Sequence, residues 1–213
     1  AQIDWTVVEG TELSNITNYT ATATGEGIYL ISITSSDGNC SSEDVYEVLM
    51  DTVTFEAITG PEGMLNCYDP SYVLQGESNN DEAEFVWSTI DGQFLGNSFL
   101  QTPTVISAGT YNLTVTNPSN GCLSENSIEI SEDFTVPEIT LGQASGLISC
   151  INPVIQIEGN NIYPDGYTNI IEWTEVEGEL FDTITLNPST QWPGTFSLTV
   201  TFEENGCSST STE

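Results

Sequence analysis

Apolar and polar residues alternate along several short stretches of this chain. In "TYNLTVT" the side chains of Tyr111, Leu113 and Val115 fall on one face of an extended strand, and "FSLTVTF" from Phe196 repeats the pattern. A period of two predicts half-buried β-strands, and no stretch has a convincing helical period. Turn signals about every eight to twelve residues then predict an all-β protein built from antiparallel sandwiches.

The same strand, turn and cysteine occur three times. The copies are "GIYLISITSSDGNC" from Gly27, "GTYNLTVTNPSNGC" from Gly109 and "GTFSLTVTFEENGC" from Gly194. In each copy an aromatic residue precedes the cysteine by 11 residues, and a tryptophan precedes it by 34 or 35. A fixed frame of this kind is typical of tandem repeats. The predicted core consists of these six aromatic residues: Trp5, Trp87, Trp173, Tyr29, Tyr111 and Phe196.

The repeat frame predicts three tandem immunoglobulin-like β-sandwich domains. Their boundaries are residues 1–51, 52–134 and 135–213. Each tryptophan is expected on the third strand, between the two sheets, and the Tyr or Phe near the start of a late strand is placed like a tyrosine corner. In this frame we expect the first repeat to lack its N-terminal strands and the third to stop before a complete last strand.

These features resemble a known class of repeat. "AGTYNLTVTNPSNGC", an earlier "LNCYDP" and a mid-repeat tryptophan are similar to the tandem Ig-like or PKD-like repeats of very large Bacteroidota surface proteins. That class includes gliding-motility adhesins and other type IX secretion cargo. The resemblance implies β-sandwich beads on a long extracellular fibre, with neighbouring repeats of the same chain as partners. It does not specify a function, because such repeats serve many different surface proteins.

The five cysteines fall into two classes. Cys67 and Cys150 follow an early strand, whereas Cys40, Cys122 and Cys207 end the late turn of a repeat. Recurring cysteines in a loop-rich β pattern predict disulfides and an oxidising location, extracellular or at the cell surface. The odd count then indicates three pairs, of which one has its partner outside this chain. The alternative is a free Cys40.

Two disulfide connectivities are open from the sequence. We favour pairing within a repeat, Cys67 with Cys122 and Cys150 with Cys207. The alternative crosses a junction and joins Cys67 to Cys207 of the next repeat. The number of strands between the tryptophan and the late aromatic residue decides between them. It sets whether the two turns share a pole of the sandwich or lie too far apart for a disulfide.

The chain has 32 acidic residues and no Lys, Arg or His, which gives a formal net charge of −32. Nucleic acid and anionic membrane surfaces repel such a chain, so neither is an expected partner. Salt bridges between side chains are impossible. No apolar run reaches the roughly 18 residues that a spanning helix needs, so we expect no direct membrane insertion.

The residue types also restrict the chemistry. Without His or Lys the chain lacks the usual general bases and amine nucleophiles, so we expect no enzyme activity and no catalytic residue. Carboxylates suit Ca²⁺, and the candidate metal ligands lie at the predicted junctions: Asp51, Glu132 and Asp133. The other interpretation is that the chain binds no cofactor and that these acidic linkers form only a solvated coat.

The pattern as a whole favours a structural role. We expect a repeat segment of an extracellular fibre, appendage or surface adhesin, acting as a stiff spacer and assembly module. Like subunits would be its partners in a homo-oligomeric fibre, and the short linker "EDFTV" favours stiffness. The alternative is a Ca²⁺-dependent carbohydrate- or surface-binding adhesin module. Trp192, where the second repeat has Ser107, is the one aromatic residue that hints at it.

Overall fold

The computed structural model of the chain describes residues 1–142, 147–162 and 164–212. Every regular element in these ranges is a β-strand. They contain no helix long and apolar enough to cross a membrane. The chain forms two compact units: unit 1 comprises Ala1–Thr54 and Asn117–Cys122, and unit 2 comprises Phe55–Thr116 and Leu123–Glu213.

Unit 1 is built on one three-stranded antiparallel sheet. Its strands are β1 (Gln2–Gly10), β2 (Leu13–Ser14), β3 (Thr22–Ala23), β4 (Gly27–Thr34) and β5 (Ser41–Val48). The sheet has the order β1-β4-β5, and β2 pairs with β3. β4 therefore occupies the centre of the sheet.

Two of the predicted core aromatic residues lie in unit 1. Tyr29 on β4 is buried, and its hydroxyl donates a hydrogen bond to Gly25 O at 3.2 Å. Trp5 on β1 is half-buried, and its ring lies 6.1 Å from that of Tyr46. Tyr29 is thus buried as predicted for a core residue, whereas Trp5, predicted for the core as well, is not fully buried.

Unit 2 contains two β-sandwiches. The strands of the first are β6 (Ile58–Thr59), β7 (Gly63–Asn66), β8 (Tyr72–Val73), β9 (Gly76–Glu77), β10 (Glu84–Thr89), β11 (Thr104–Val105), β12 (Gly109–Thr116) and β13 (Leu123–Asp133). One layer is a sheet of order β10-β12-β13-β7. The opposite layer consists of the short pairs β6–β9 and β8–β11.

The pairing of β7 with β13 is parallel, whereas β10, β12 and β13 pair antiparallel. In the parallel register Gly63 lies opposite Ile130 and Asn66 opposite Asp133. An early strand that adds in parallel to the last strand of an otherwise antiparallel sandwich gives an immunoglobulin-like topology. The chain is therefore an all-β protein of immunoglobulin-like architecture, as the sequence predicts.

The second sandwich has a similar arrangement, but its described residues include no parallel strand that corresponds to β7. Its strands are β14 (Glu138–Leu141), β15 (Ile155–Gln156), β16 (Gly159–Ile162), β17 (Asn169–Glu177), β18 (Leu180–Phe181), β19 (Ser189–Thr190), β20 (Thr195–Phe202) and β21 (Ser208–Thr212). They form sheets of order β17-β20-β21, β15-β19-β18 and β14-β16. The two sandwiches fall within the segments predicted as the second and third repeats, whose boundaries remain a prediction.

A tryptophan fills the centre of each sandwich of unit 2. Trp87 is 2% exposed, and its indole Nε1 donates a hydrogen bond to Gln101 O at 3.2 Å. The backbone of Gly76 in the opposite layer approaches the ring so closely that a Cβ atom there would lie 3.3 Å from it. Gly159 stands in the same relation to Trp173, at 3.4 Å. The strand pattern thus positions a Trp–Gly contact that brings the layers together.

Tyr111 forms the predicted tyrosine corner of the first sandwich. It is fully buried, its hydroxyl donates a hydrogen bond to Ser107 O at 2.7 Å, and the same hydroxyl accepts one from Gln93 N at 2.9 Å. Phe196, also buried, occupies this position in the second sandwich without a hydroxyl. The corner hydrogen bonds are therefore a property of the first sandwich, and the second relies on packing alone.

We predict that Tyr111→Phe destabilises the first sandwich by about 1–2 kcal/mol, because Ser107 O and Gln93 N lose a buried partner. Hydrogen exchange measured by mass spectrometry should accelerate over β10, β12 and β13. The exposed Tyr19→Phe is the matched control and should leave exchange unchanged. Equal protection of the sheet in Tyr111→Phe and in the unsubstituted chain would show that the corner hydrogen bonds contribute nothing.

Candidate functional site

The loop after β7, residues 66–69, is a tight turn that we name the early-cysteine loop. Asn66 N donates a hydrogen bond to Asp69 O at 3.1 Å. The Asn66 side-chain Oδ1 accepts hydrogen bonds from Tyr68 N at 3.0 Å and from Asp69 N at 2.8 Å. An asparagine side chain that binds backbone amides just ahead of it stabilises such a turn. Cys67 is thereby held in a defined position at the end of β7.

The turn between β20 and β21, residues 202–207, is named the late-cysteine turn. Phe202 N donates to Cys207 O and Gly206 N donates to Phe202 O, both at 2.9 Å. Cys207 N donates to Asn205 Oδ1, also at 2.9 Å. Gly206 has a φ of +72°, in the left-handed region that glycine adopts without strain. Asn205 and Cys207 are fully buried.

A disulfide joins the early-cysteine loop to the late-cysteine turn, and we name this arrangement the staple. Cys67 and Cys207 are 140 residues apart in sequence, and their Cα atoms lie 5.1 Å apart. Cys67 N also donates a hydrogen bond to Asn205 O at 3.0 Å. The ring of Tyr68 covers Gly206, where a Cβ atom would lie 2.7 Å from it. The staple thus combines a covalent bond, a hydrogen bond and a ring packed on a glycine.

The linker between β13 and β14 is bound to the same turn. Asn205 Nδ2 donates a hydrogen bond to Thr135 O at 2.9 Å. Tyr167 Oη donates to Asp133 Oδ2 at 2.8 Å, and its ring stacks on Phe202 with centroids 4.3 Å apart. The junction between the two sandwiches of unit 2 is therefore held both at its linker and at the staple.

Carboxylates at this junction are kept ionised by hydrogen-bond donors. Partial burial raises the pKa of Asp133, but hydrogen bonds from Tyr167, Thr135 and Asn205 outweigh burial and hold that pKa below its ordinary value. Both oxygens of Glu204 accept a hydrogen bond from Thr168 N at 2.8 Å, which lowers the pKa of Glu204. Amide and hydroxyl groups supply the donors in a chain that has no basic side chains.

The cysteine pairing favoured from the sequence is wrong. Neither Cys67–Cys122 nor Cys150–Cys207 forms, and the observed bond is the alternative that crosses the junction. Cys122 comes directly before β13, whereas Cys67 follows the residue paired with the last residue of that strand. The eleven residues of β13, at roughly 3.3 Å each, put the two cysteines at opposite poles, beyond the reach of a disulfide.

The number of strand crossings explains why the sequence was ambiguous. β10 and β12 are antiparallel neighbours, so the chain must cross the sandwich twice between them. Only one crossing is a regular strand, β11, and the other runs through the irregular segment 90–103. Cys122 and Cys150, which were predicted to pair within this chain, carry free thiols. Cys40, whose predicted partner lies outside this chain, is also unpaired here.

The three candidate calcium ligands are not brought together. In the ranges described above, no group of three or more Cys, Asp or Glu residues is placed to hold a metal ion. Each carboxylate instead accepts a hydrogen bond from a backbone amide. The pairs are Asp51 with Val53 N at 3.0 Å, Glu132 with Ala108 N at 3.2 Å and Asp133 with Thr135 N at 3.1 Å.

Trp192 lies at an apolar cavity of the second sandwich. The cavity has a volume of about 220 Å³, and Trp173 and Phe196 are among its lining residues. Trp192 is 43% exposed, and its ring is tilted against Phe181 with centroids 5.8 Å apart. Pockets that bind small molecules usually reach at least about 300 Å³. The cavity is thus smaller than a typical ligand site.

Sequence reasoning did not single out the residues that complete the junction. Asn205 and Gly206 have a signal, because "NGC" is spelled identically at 120–122 and at 205–207. Tyr68 follows its cysteine directly, but its partner glycine is distant in sequence. Nothing in the sequence marks Tyr167, because the second repeat has Asp81 and not an aromatic residue at the same distance before its tryptophan.

No family model and no curated protein sequence matches this chain. Among solved structures, it is similar to the PKD domain of the KIAA 1837 protein, at 24% identity over 36% of this chain and 86% of that one, with a TM-score of 0.29. The three N-terminal domains of the bacteriophage RB49 highly immunogenic outer capsid protein match at 13% identity over 99% and 86%, with a TM-score of 0.37. Drosophila N-cadherin EC1-3 matches at 9% over 100% and 87%, with a TM-score of 0.30. These likenesses concern the β-sandwich fold and do not extend to function.

We predict that Cys67–Cys207 is the only disulfide within an isolated, folded chain. Peptic digestion at acid pH without reductant should give one linked pair of peptides, which separates when the sample is reduced. Iodoacetamide should label Cys40 and Cys150 readily, because both are exposed, and the half-buried Cys122 more slowly. Detection of a Cys67–Cys122 or Cys150–Cys207 peptide would contradict the structure.

The hydrogen bond between Tyr167 and Asp133 should make the junction sensitive to acid. A carboxyl whose pKa is lowered by folding stabilises the fold above its unfolded pKa of about 3.9, and this contribution is lost as the pH falls through the folded pKa. Tyr167→Phe keeps the stacked ring and removes the hydrogen bond. Because Asp133 remains in contact with solvent, we expect a loss of less than about 1 kcal/mol near neutral pH.

Thermal unfolding of both proteins at about pH 7 and about pH 3 tests this expectation. The difference between Tyr167→Phe and the unsubstituted chain should shrink at the lower pH, because the contribution of the lowered pKa begins to be lost below the unfolded pKa of about 3.9. The exposed Tyr19→Phe is the control and should show no difference at either pH. A difference that is equal at both pH values would mean that the ionised form of Asp133 is not involved.

Proposed function

We propose that the chain is a structural repeat segment of an extracellular fibre, appendage or surface adhesin, in which it acts as a stiff spacer and assembly module. The observation that carries this proposal is the staple. Its disulfide does not close a loop inside one sandwich but joins two successive sandwiches of unit 2. A bond in that position contributes little to either core and instead limits movement between them.

The position of the disulfide beside the linker restricts how the two sandwiches can move relative to each other. The linker leaves β13 after Asp133, and the disulfide starts one residue beyond Asn66, which lies directly opposite Asp133 in the sheet. Two covalent connections therefore leave neighbouring strands at the same pole. A single linker allows a sandwich to pivot in any direction, whereas two side by side allow rotation only about the line that joins them. The hydrogen bonds and stacked rings of the junction restrict that rotation as well.

The disulfide also resists complete unfolding. Closing a loop of 140 residues lowers the entropy of the unfolded chain by an amount worth about 5 kcal/mol in the chain-entropy model. Such bonds persist in oxidising compartments, which supports an extracellular location. The charge of −32 keeps the surface hydrated and repels nucleic acid and anionic lipid. These properties suit an exposed fibre, and the sequence resemblance to Bacteroidota surface repeats is in keeping with it.

A carbohydrate- or surface-binding role has less support. Trp192 and its cavity are the only features of the described residues that favour it, and the cavity volume of about 220 Å³ is small for a ligand site. The carboxylates proposed for Ca²⁺ are not gathered into a group in the described part of the chain, and each accepts a hydrogen bond from a backbone amide. The spacer role accounts for the staple, which a binding role leaves unexplained.

Small-angle X-ray scattering of a double variant, Cys67→Ser with Cys207→Ser, tests the spacer role. With one of its two covalent connections removed, the junction should bend more widely, and the scattering should require a broader ensemble than that of the unsubstituted chain. Far-UV circular dichroism should retain the β-sheet spectrum. The matched control is Cys122→Ser with Cys150→Ser, which leaves the staple intact and should scatter like the unsubstituted chain. If all three profiles superimpose, the staple does not stiffen the chain and the spacer role is refuted.

A further inference from the structure

The loop around Cys150 repeats two of the three hydrogen bonds of the early-cysteine loop. Ser149 N donates a hydrogen bond to Asn152 O at 3.0 Å, where Asn66 N donates to Asp69 O at 3.1 Å. Asn152 N donates to the Ser149 side-chain oxygen at 3.1 Å, where Asp69 N donates to that of Asn66 at 2.8 Å. A serine thus performs the capping that an asparagine performs in the staple. Cys150 is held in the same kind of turn as the bonded Cys67.

The Cys150 loop also exposes the residue that corresponds to Tyr68. Ile151 is 97% exposed, and Cys150 beside it is exposed as a free thiol. In the staple, Tyr68 at this position covers a glycine of the opposing turn. A large apolar side chain at the tip of this loop gains from the same kind of cover, because burial removes its surface from water.

The turn before Cys122 has the Asn-Gly-Cys sequence of the late-cysteine turn but no disulfide partner in this chain. Asn117 N donates to Cys122 O at 2.8 Å, Gly121 N donates to Asn117 O at 2.8 Å, and Cys122 N donates to Asn120 Oδ1 at 2.9 Å. These bonds match those of the late-cysteine turn. Gly121 has a φ of +74°, against +72° for Gly206. The turn therefore has the same hydrogen bonds without a disulfide as with one.

In this unbonded turn no side chain of the described residues covers the glycine. A Cβ atom built on Gly121 meets no other described residue within 4 Å, whereas one built on Gly206 meets the ring of Tyr68. Asn120 Nδ2 donates to Val53 O at 3.0 Å, just as Asn205 Nδ2 donates to the linker in the staple. The Asn-Gly-Cys turn is thus a preformed receptor for a loop with a cysteine and a large side chain.

Cys40 does not share this geometry. Its turn places glycine two residues before the cysteine, and Cys40 N bonds to Ser35 Oγ at 3.1 Å instead of to an asparagine side chain. A free thiol alone therefore does not mark a cysteine as a docking site. The match of the Cys150 loop to a bonded loop in the same molecule is what distinguishes Cys150.

We propose that the Cys150 loop is a docking site for the Asn-Gly-Cys turn of a further immunoglobulin-like repeat, and that Cys150 forms a disulfide with the cysteine of that turn. The inference rests on the proposed function and names the partner at this end of the second sandwich. Ile151 would cover the glycine of the incoming turn. The two thiols lose two protons and two electrons to a disulfide oxidant such as oxidised glutathione, which is reduced to two thiols.

A lengthened chain tests the proposal. Glu213 lies six residues after Cys207, as Ile128 lies six residues after Cys122, so a second copy of residues 129–213, with serine in place of its own Cys150, continues the repeat in frame when it is appended to Glu213. After refolding in a glutathione redox buffer, a non-reducing peptic map should link Cys150 to the added copy of Cys207. The original Cys67–Cys207 bond should be present in the same digest, where it reports correct folding.

The matched control is the same lengthened chain with serine in place of the added copy of Cys207. Its Cys150 should be labelled by iodoacetamide at least tenfold faster than in the lengthened chain. If Cys150 remains a free thiol in the lengthened chain while Cys67–Cys207 is intact, the docking proposal is overturned and the spacer role is unaffected. If Cys67–Cys207 itself is missing, the staple fails, and the proposed function fails with it.

Discussion

The parallel pairing of β7 with β13 is the constraint on which the rest of the structure depends. It brings the end of β7 to the same end of the sandwich as the end of β13, with Asn66 opposite Asp133. Cys67 consequently points out of its own sandwich and toward the next one. Had this strand paired antiparallel, the early-cysteine loop would lie at the other pole and no junction bond could form. Because β7 runs parallel to β13, Cys67 joins two sandwiches and does not close a loop within one.

The absence of basic residues determines how the junction is made. Ion pairs between side chains are impossible in a chain with no Lys, Arg or His, so every carboxylate needs water or a neutral donor. The structure supplies Tyr167 to Asp133 and the amide of Thr168 to Glu204. Hydrogen bonds to charged acceptors are stronger than those between neutral groups, which compensates in part for the repulsion among like charges.

The repeats are alike in their cores and differ where they meet. Trp87 and Trp173 are each packed against a glycine of the opposite layer, and the corner position is Tyr in one sandwich and Phe in the other. The junction consists of a capped loop, an Asn-Gly-Cys turn and an aromatic ring packed on the glycine of that turn. Variation is tolerated at the corner because burial alone can hold it, whereas the glycine at +72° has no substitute under the ring of Tyr68.

The sequence by itself determined the all-β class and the alternating strands β12 and β20, since both depend on local alternation of apolar and polar residues. It also placed the cysteines in two classes and marked the Asn-Gly-Cys turn. Only the tertiary structure decided which cysteines bond, because the answer depends on how often the chain crosses the sandwich, and one crossing at 90–103 is not a regular strand. The hydrogen bond from Tyr167 to Asp133 and that from Ala108 to Glu132 could not be read from the sequence for the same reason. Their partners are 34 and 24 residues apart and are brought together by packing, which no local pattern records.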